Sequence, residues 1–577
     1  MIFFYRKEIE LTEAFKMKKT IRVDMDTLGI SHDPETEGIR HMGGRALTSG
    51  IIAREVPPNC DPLGRDNKIV IAPGVLTGSS APCSGRLSMG SKSPLTGGIK
   101  ESNVGGTAGR VMAAMGIKAL IIQGKSTQKE LFILEISNDN IQLTSAEPIA
   151  NKDNYGAAEY LTQQYGPKTP YILAGPGGEA GLPLATVAVS DMDGRPSRHA
   201  GRGGLGAVLA SKGIKAIVLT GKGPLLAPEN TESFKKTRKA FAKDLSSSKQ
   251  ALTKFGTAVL VNVINEAGAL PVNNFRKGRF DQVGNISGEV LSDNCQARGG
   301  KTGHGCHPGC VIKCSNVYHD KEGNHLTSAL EYETIALLGC NCGLSDLDQI
   351  AELDFMCDNY GLDTMETGVT LGVAMEAGLL EFGDFTGMKK LITGMTQGSV
   401  TGRLLGQGAL VTGKTLGVER IPTVKRQALS AYDPRALKGT AATYATSPMG
   451  ADHTAGNCLP GRTGLDDRSP DGQVAASKEA QKLTMLCDLL GLCIFVGPIP
   501  QTLPTMTRLF NDFLGMNHTE EEMLAMAEKV LLEEVRFNEK AGITKYQNDL
   551  PEFFRTETLH SDLVCDLPAE ELMNIYN

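Results

Sequence analysis

Short apolar runs closed by turn residues dominate the first 220 positions. Lys19-Thr20-Ile21-Arg22-Val23-Asp24, Lys68-Ile69-Val70-Ile71-Ala72, and the runs 118–124 and 215–221 have the length and flanking turn signals of strands. The last two echo each other, each opening from Gly-Ile-Lys and closing in Gly-Lys, which hints at two related β units in one sheet domain. Residues 221–230, with two prolines, read as a linker. Beyond it the period changes. Residues 232–256 and 347–380 place apolar side chains at helical spacing, as in Ile350, Leu353, Met356 and Cys357, and 520–537 repeats the pattern. The expected fold is α+β: a β-rich domain over 19–222, a helical domain with a cysteine cluster over 223–430, and a second helical domain over 431–577.

Composition narrows the function. With 59 Lys+Arg against 65 Asp+Glu the net charge is −6, which argues against nucleic acid or an anionic membrane as partner. No apolar run approaches the ~18 residues of a membrane span. Ile2-Phe3-Phe4 is cut short by Tyr5-Arg6-Lys7-Glu8, so no secretory signal is expected and the cytoplasm is the expected location; the first 18 residues are assigned no role. The 67 glycines fall in clusters, marking backbone that turns tightly or approaches something closely. Thirteen cysteines, an odd number, disfavour a disulfide framework and favour metal or redox use. Cys60, Cys83, Cys357, Cys487 and Cys565 read as packing residues.

Two phosphate motifs match by letter and fail by context. Gly201-Arg202-Gly203-Gly204-Leu205-Gly206 fits G-x-G-x-x-G, but it follows Asp191-Met192-Asp193-Gly194-Arg195-Pro196 rather than a plain strand, and no acid follows until Glu229. Residues 408–415 fit the Walker A pattern, yet 416–422 is too short and broken for the helix that should hold phosphate. The glycine loops around Arg86, around Asn103 and Gly105, and over Arg198-His199-Ala200-Gly201-Arg202 instead offer backbone N–H groups beside arginines. That set suits a large phosphorylated cofactor, or else solvated tight turns. Cys306-His307-Pro308-Gly309-Cys310-Val311-Ile312-Lys313-Cys314 is a loop of thiols, because Pro308-Gly309 breaks any helix; His304 and Cys295 are near in sequence. Three clustered thiolates with a distant fourth favour iron–sulfur, with structural zinc the alternative. Asp358-Asn359-Tyr360-Gly361-Leu362-Asp363 and Asp488-Leu489-Leu490-Gly491-Leu492-Cys493 share D-x-x-G-L, read as paired helix ends presenting carboxylates to one ligand. Cys493 is then the distant thiolate.

These residues, with Leu76-Thr77-Gly78-Ser79-Ser80-Ala81-Pro82, Ser93-Pro94-Leu95-Thr96-Gly97, the stretch 200–212 and Ala431-Tyr432-Asp433-Pro434-Arg435, resemble the tungsten-containing aldehyde:ferredoxin oxidoreductase family from about Lys19 onward. The resemblance implies a β domain under two helical domains. A bis-pterin tungsten (or molybdenum) cofactor would lie at their junction beside one [4Fe–4S] cluster, with magnesium as a candidate bridge between the pterin phosphates. It implies Arg86 between cluster and pterin, and pterin contacts from Asn103, Gly105, Arg198, His199, Gly201 and Arg202. Asp358, Asp363, Asp488 and Leu492 would contact the cofactor from the helical side. The cluster ligands would be Cys306, Cys310, Cys314 and Cys493, and the acid–base pair Glu333 and His453. The chain departs in its C-x₃-C-x₃-C spacing, where C-x₂-C-x₃-C is usual, and in Ala455, where a lysine is common. A dimer-bridging E-x-x-H has only Glu322-Gly323-Asn324-His325 as a match, in a polar turn, so that metal site is not expected; a homodimer is still allowed.

The implied function is oxidation of a small aldehyde to a carboxylate, with electrons leaving to ferredoxin or an iron–sulfur partner subunit. The alternatives are an offshoot reducing an acid or thioester within a larger complex, and a non-catalytic zinc-bound scaffold. With aromatics at 5% and no Trp, an aromatic-lined pocket for a bulky ring is less expected.

Overall fold

The computed structural model describes residues 19–34, 37–127, 130–559 and 562–576. The segment on which the signal-peptide reading rests lies outside them. The N-terminal part forms two six-stranded sheets. The first holds β1 (Lys19–Asp24), β2 (Gly29–Pro34), β3 (Ile69–Pro73), β4 (Leu87–Lys92), β5 (Ile99–Val104) and β6 (Ile117–Gln123), in the order β2-β1-β6-β3-β4-β5. The second holds β7 (Phe132–Ile136), β8 (Ile141–Ser145), β9 (Tyr171–Ala174), β10 (Val187–Val189), β11 (Arg198–Ala200) and β12 (Ile214–Leu219), in the order β8-β7-β12-β9-β10-β11. The second order is the first with every strand number raised by six.

Each sheet has one parallel pair, β1 with β6 and β7 with β12, and each pair slips register at one residue. The bulged residues are Lys118 and Lys215, the lysines of the Gly-Ile-Lys echo. Both are buried, and each ammonium donates to a carbonyl shortly before its unit's first long helix: Lys118 to Arg40 O at 3.0 Å, Lys215 to Lys152 O at 3.0 Å. The echo therefore marks a duplicated unit, and the single sheet domain expected from sequence is two sheets packed face to face. Ile69, Ile71, Leu120 and Ile122 of one meet Leu134, Ile172, Ile217 and Leu219 of the other. Alternate residues point outward, as a period of two requires. Val70, Ala72 and Ile121 pack on α1 (Gly44–Glu55), and Leu173, Ala216 and Val218 on α2 (Asn154–Tyr165), giving helix–sheet–sheet–helix layers.

Residues 221–230 carry no helix or strand. After them come α3 (Thr231–Ser248), α4 (Leu347–Tyr360) and α5 (Gln473–Leu490), among other helices. The helical cores interleave across position 430, where the sequence places a boundary. Phe234, Phe241 and Leu245 of α3 pack with α5 and with helices Leu503–Leu514 and Glu520–Lys540, whereas Ala441, Ala442, Tyr444 and Phe554 join the core built on α4.

Both phosphate motifs fail on topology. A short strand, β11, does precede Gly201, contrary to the sequence reading. But β11 is an antiparallel edge strand, and the following helix (Leu205–Ser211) leads to β12, which is not its neighbour. At the other motif a helix does form, Ala409–Leu416, and its first N–H group is taken at 3.1 Å by the Glu366 carboxylate rather than left for phosphate. Glu322 lies in a turn, and His325 turns its Nε2 to Ser328 Oγ at 2.9 Å. Among the described residues no helix is long and apolar enough to cross a membrane.

Candidate functional site

The two D-x-x-G-L phrases are equivalent helix ends. Helix α4 stops at Gly361 (φ 70°) and α5 at Gly491 (φ 75°), both left-handed as glycine permits. Leu362 N–H donates to Cys357 O at 2.9 Å, and Leu492 N–H to Cys487 O at 3.0 Å. Each glycine carbonyl then accepts one N–H from a β unit: Gly361 O from Thr186 at 2.9 Å, Gly491 O from Arg86 at 3.1 Å. Thr186 precedes β10 and Arg86 precedes β4, the corresponding strands of the two units. The correspondence continues into side chains. Arg86 Nε donates to Asn103 Oδ1 at 2.5 Å, and Thr186 Oγ1 lies 2.7 Å from His199 Nδ1. Asn103 and His199 hold the same register position opposite Ser88 and Ala188, with Gly105 and Gly201 two residues on.

Between the two units and the two helix ends lie two adjoining cavities. One, of about 340 Å³, is lined by Arg86, Gly105, Arg198, His199, Gly201, Glu333, Asp358, Asp363 and His453 together with Cys306, Cys314 and Cys493. The other, of about 190 Å³, is lined by Arg45, Arg86, Asn103, His199, Gly201, Arg202, His453 and Asp488. Leu492 lines neither and packs in the apolar core around α5. The Asp358 and Asp488 carboxyls are pushed well above the usual carboxylate range, chiefly by burial. Burial also holds His199 neutral, lowering it to about 4, although its Nε2 lies 3.2 Å from Asp358 Oδ1. Arg202 spends its donors on the protein: Asp363 at 3.2 Å, Ala451 O at 2.9 Å and Ala428 O at 2.8 Å.

The thiol loop joins two strands of a small sheet, Lys301–His304 and Ser315–His319. Cys306, His307 and Cys310 bring their ligand atoms within 4.8 Å of one another. Cys314 and Cys493 face the same group, and Arg86 Nη1 reaches Cys306 Sγ at 3.9 Å. Cys306 is pushed up to about 12 by its interaction with Cys310 and by burial, and Cys493 to about 12 by burial. Two nearby candidates turn elsewhere: Cys295 puts its thiol on Val317 O, and His304 faces Asp193 at 3.3 Å. The sequence reading missed Cys83. Its thiol interacts with Cys310, its N–H donates to Gly309 O at 3.1 Å, and its carbonyl accepts Cys493 N–H at 2.8 Å. It also missed Arg45, buried 3.6 Å from Asp488. Only spatial neighbours reveal either one.

Glu333 and His453, 120 positions apart, meet at the larger cavity with Oε1 and Nε2 3.4 Å apart. Glu333 Oε2 accepts Ala431 N–H at 2.8 Å, and His453 Nδ1 lies 2.9 Å from Ser430 Oγ. Beside them Tyr432 stacks at a tilt between Tyr332 (5.3 Å) and His453 (5.9 Å), and Phe495 completes an aromatic wall. This overturns the expectation of a pocket poor in aromatics: a low overall content still concentrates where burial is deepest.

A polar ligand fits this cradle. Arg198 Nε, His199 Nε2, Glu333 Oε1 and Glu101 Oε1 are buried without an aligned hydrogen bond, although buried polar atoms are ordinarily paired. Their convergence on two adjoining cavities, the larger lined by Cys306, Cys314 and Cys493, fits a large polar group beside side chains able to ligate a metal.

Residues 20–221 match the family described as aldehyde ferredoxin oxidoreductase, N-terminal domain, and residues 232–576 match domains 2 and 3 of the same family. The chain is 32% identical over 567 residues to the tungsten-containing aldehyde ferredoxin oxidoreductase of Pyrococcus furiosus, covering 93% of this chain and 91% of that protein. It is 28% identical over 461 residues to an aliphatic sulfonate oxidoreductase, WOR-like subunit, of the same organism, covering 73% and 72%. Among solved structures, the active site complex BamBC of benzoyl coenzyme A reductase, in complex with 1,5-dienoyl-CoA, shares the fold. Its TM-score is 0.77 at 18% identity, over 92% of this chain and 90% of that one. The chain belongs to the aldehyde ferredoxin oxidoreductase family, a family of tungsten oxidoreductases.

Proposed function

We propose that this protein oxidises an aldehyde to a carboxylate and passes the electrons on to ferredoxin or an iron–sulfur partner subunit in the cytoplasm. The observation that carries the reading is the Glu333–His453 pair, 3.4 Å apart, in a cavity that Cys306, Cys314 and Cys493 also line. The bis-pterin tungsten (or molybdenum) cofactor would supply the two-electron oxidation when bound, and Cys306, Cys310, Cys314 and Cys493 would hold a [4Fe–4S] cluster, which supplies one-electron chemistry. One pterin would be held by Arg86, Asn103, Gly105 and Asp488, the other by Arg198, His199, Gly201 and Asp358. Magnesium between the pterin phosphates is part of the reading, with no residue assigned to it.

The chain's own chemistry follows from positions. His453, fixed through Nδ1 by Ser430, presents Nε2 to the carbonyl oxygen of the aldehyde and orients it. Glu333, fixed through Oε2 by the Ala431 N–H, keeps Oε1 free to take the proton from the attacking water. Tyr332, Tyr432, Phe495 and Leu260 form the apolar side of the cavity and exclude other water.

The test is metal and acid-labile sulfide content of anaerobically purified protein, followed by aldehyde-dependent viologen reduction. About four iron with one tungsten or molybdenum per chain, and turnover of an aldehyde, support the reading. Zinc, or iron with no heavier metal, would overturn it. The aromatic wall favours a second reading, reduction of an aromatic acid or thioester within a larger complex. Dithionite-reduced viologen oxidised by such a substrate, with no aldehyde turnover, would mark that outcome.

A further inference from the structure

We infer that the cleft over the thiol loop is the docking surface for an acidic iron–sulfur electron-transfer protein; this rests on the proposed redox function. A cleft of about 380 Å³ opens at the surface between the loop 78–85, α3 and residues 308–311. Its floor is the outer side of the two loops whose inner sides carry Cys83 and Cys310. Gly309 is exposed and Cys310 is the most exposed of the four expected cluster ligands, so this is where the thiol group comes closest to solvent.

The rim is basic. Arg110, Arg238 and Lys239 line it, and no acidic side chain does. Among the described residues the side chains of these three form no ion pair and no hydrogen bond, so their charge is not spent within the chain. Lys235 and Lys243 extend the row at one-turn spacing along α3. That helix carries five Lys or Arg against Glu232 and Asp244, in a chain whose net charge is −6. Lys235 alone is partly neutralised, by Glu232 at 3.9 Å. Leu225 also lines the cleft, exposed and apolar. A cleft beside the thiol loop that combines an apolar residue with one sign of charge suits a small, fast-exchanging partner of opposite sign, steered by charge and released easily.

The test uses the holoprotein, a small acidic two-[4Fe–4S] ferredoxin as protein acceptor, and benzyl viologen as a small one. In Arg238→Glu/Lys239→Glu the KM for ferredoxin should rise about tenfold or more at about 50 mM salt, where the Debye length exceeds 10 Å. Viologen turnover and iron content should stay at the wild-type values. Lys239→Gln should give a smaller rise, and the wild type's loss of ferredoxin kcat/KM with added salt should flatten in the double variant. An unchanged ferredoxin KM at low salt would overturn the inference. Failure of the enzyme reading shows separately, as absence of viologen turnover in the wild type. In that case ferredoxin binding to the holoprotein, measured by interferometry, decides: about tenfold weaker binding to the double variant supports the surface, and equal binding overturns it.

Discussion

The two halves of the cradle share a backbone and differ in what they hang on it. In each, a β unit gives one N–H group to a helix-end glycine, and the aspartate three residues earlier faces a cavity. In the first half the unit approaches backbone to backbone. A Cβ on Gly44 would stand 1.9 Å from Asp488 O, and one on Gly74 would stand 2.1 Å from Gly491 N. In the second half Asn154 takes the place of Gly44 and donates to Asp358 O at 2.7 Å, and the position matching Gly74, Gly175, has its nearest neighbours at 2.9 Å. The charges diverge further. Buried Arg45 and half-buried Arg86 stand beside Asp488 and the thiols, while Tyr155 and neutral His199 stand by Asp358. Where one phrase ends in Cys493, the other ends in Asp363, held by Arg202. Duplication supplies the geometry twice, and substitution gives one copy a thiol and arginines where the other has a carboxylate and a neutral imidazole.

The comparison breaks most severely at those last positions. Cys493→Ala should drop iron from about four per chain to a small fraction and abolish aldehyde oxidation, whereas Asp363→Ala should keep its iron; elemental analysis of both variants checks this. Next comes Glu333→Gln, expected to lower kcat by about 10²–10⁴-fold with metal content intact. A Glu333→Gln variant of wild-type turnover and full metal content would remove that residue from the chemistry.

The packing difference predicts a stability difference. Gly74→Ala should cost on the order of 1–3 kcal/mol through overpacking against rigid backbone, and Gly175→Ala clearly less; denaturant midpoints of the two variants rank them. The most gradual effect, spread over about two and a half pH units, is a pH dependence. His199 sits at about 4 when folded and near 6.5 when free, so the unfolded chain binds the extra proton between those values. Stability from this group is full above about 6.5 and is lost as pH falls toward 4, by about 1.4 kcal/mol per pH unit. His199→Asn, which copies Asn103 of the other half, should flatten that part of the thermal-inactivation profile. A parallel profile for wild type and variant would assign the acid sensitivity to other groups.

Much of this was legible in order along the chain. Short apolar runs closed by turn residues gave β1, β3, β6 and β12, the Gly-Ile-Lys echo gave the duplication, and the paired D-x-x-G-L phrases gave the helix ends, because each signal lies within one turn or strand. The remaining strands of the two sheets escaped. β4 and β5 are polar in letters (Ser88, Ser91, Lys92, Lys100, Glu101) yet buried, since the domains above them cover that face. A strand of polar letters that distant partners bury carries no apolar run to read.

Sequence by itself determined the local devices: left-handed glycine caps, a proline-broken loop of thiols, two copies of one β unit, and a resemblance that named the family. Only the tertiary structure decided which side chains share a site. Arg45 meets Glu534 across 489 positions, Arg86 meets Cys306 across 220, and Cys83, packed in the apolar core as expected, also lies beside Cys310. Dihedral preference and hydrogen bonding to near neighbours act over a few residues and are written in the local string. Burial and Coulomb energy depend on distance in space, and that is fixed only when the two β units close on the helix ends.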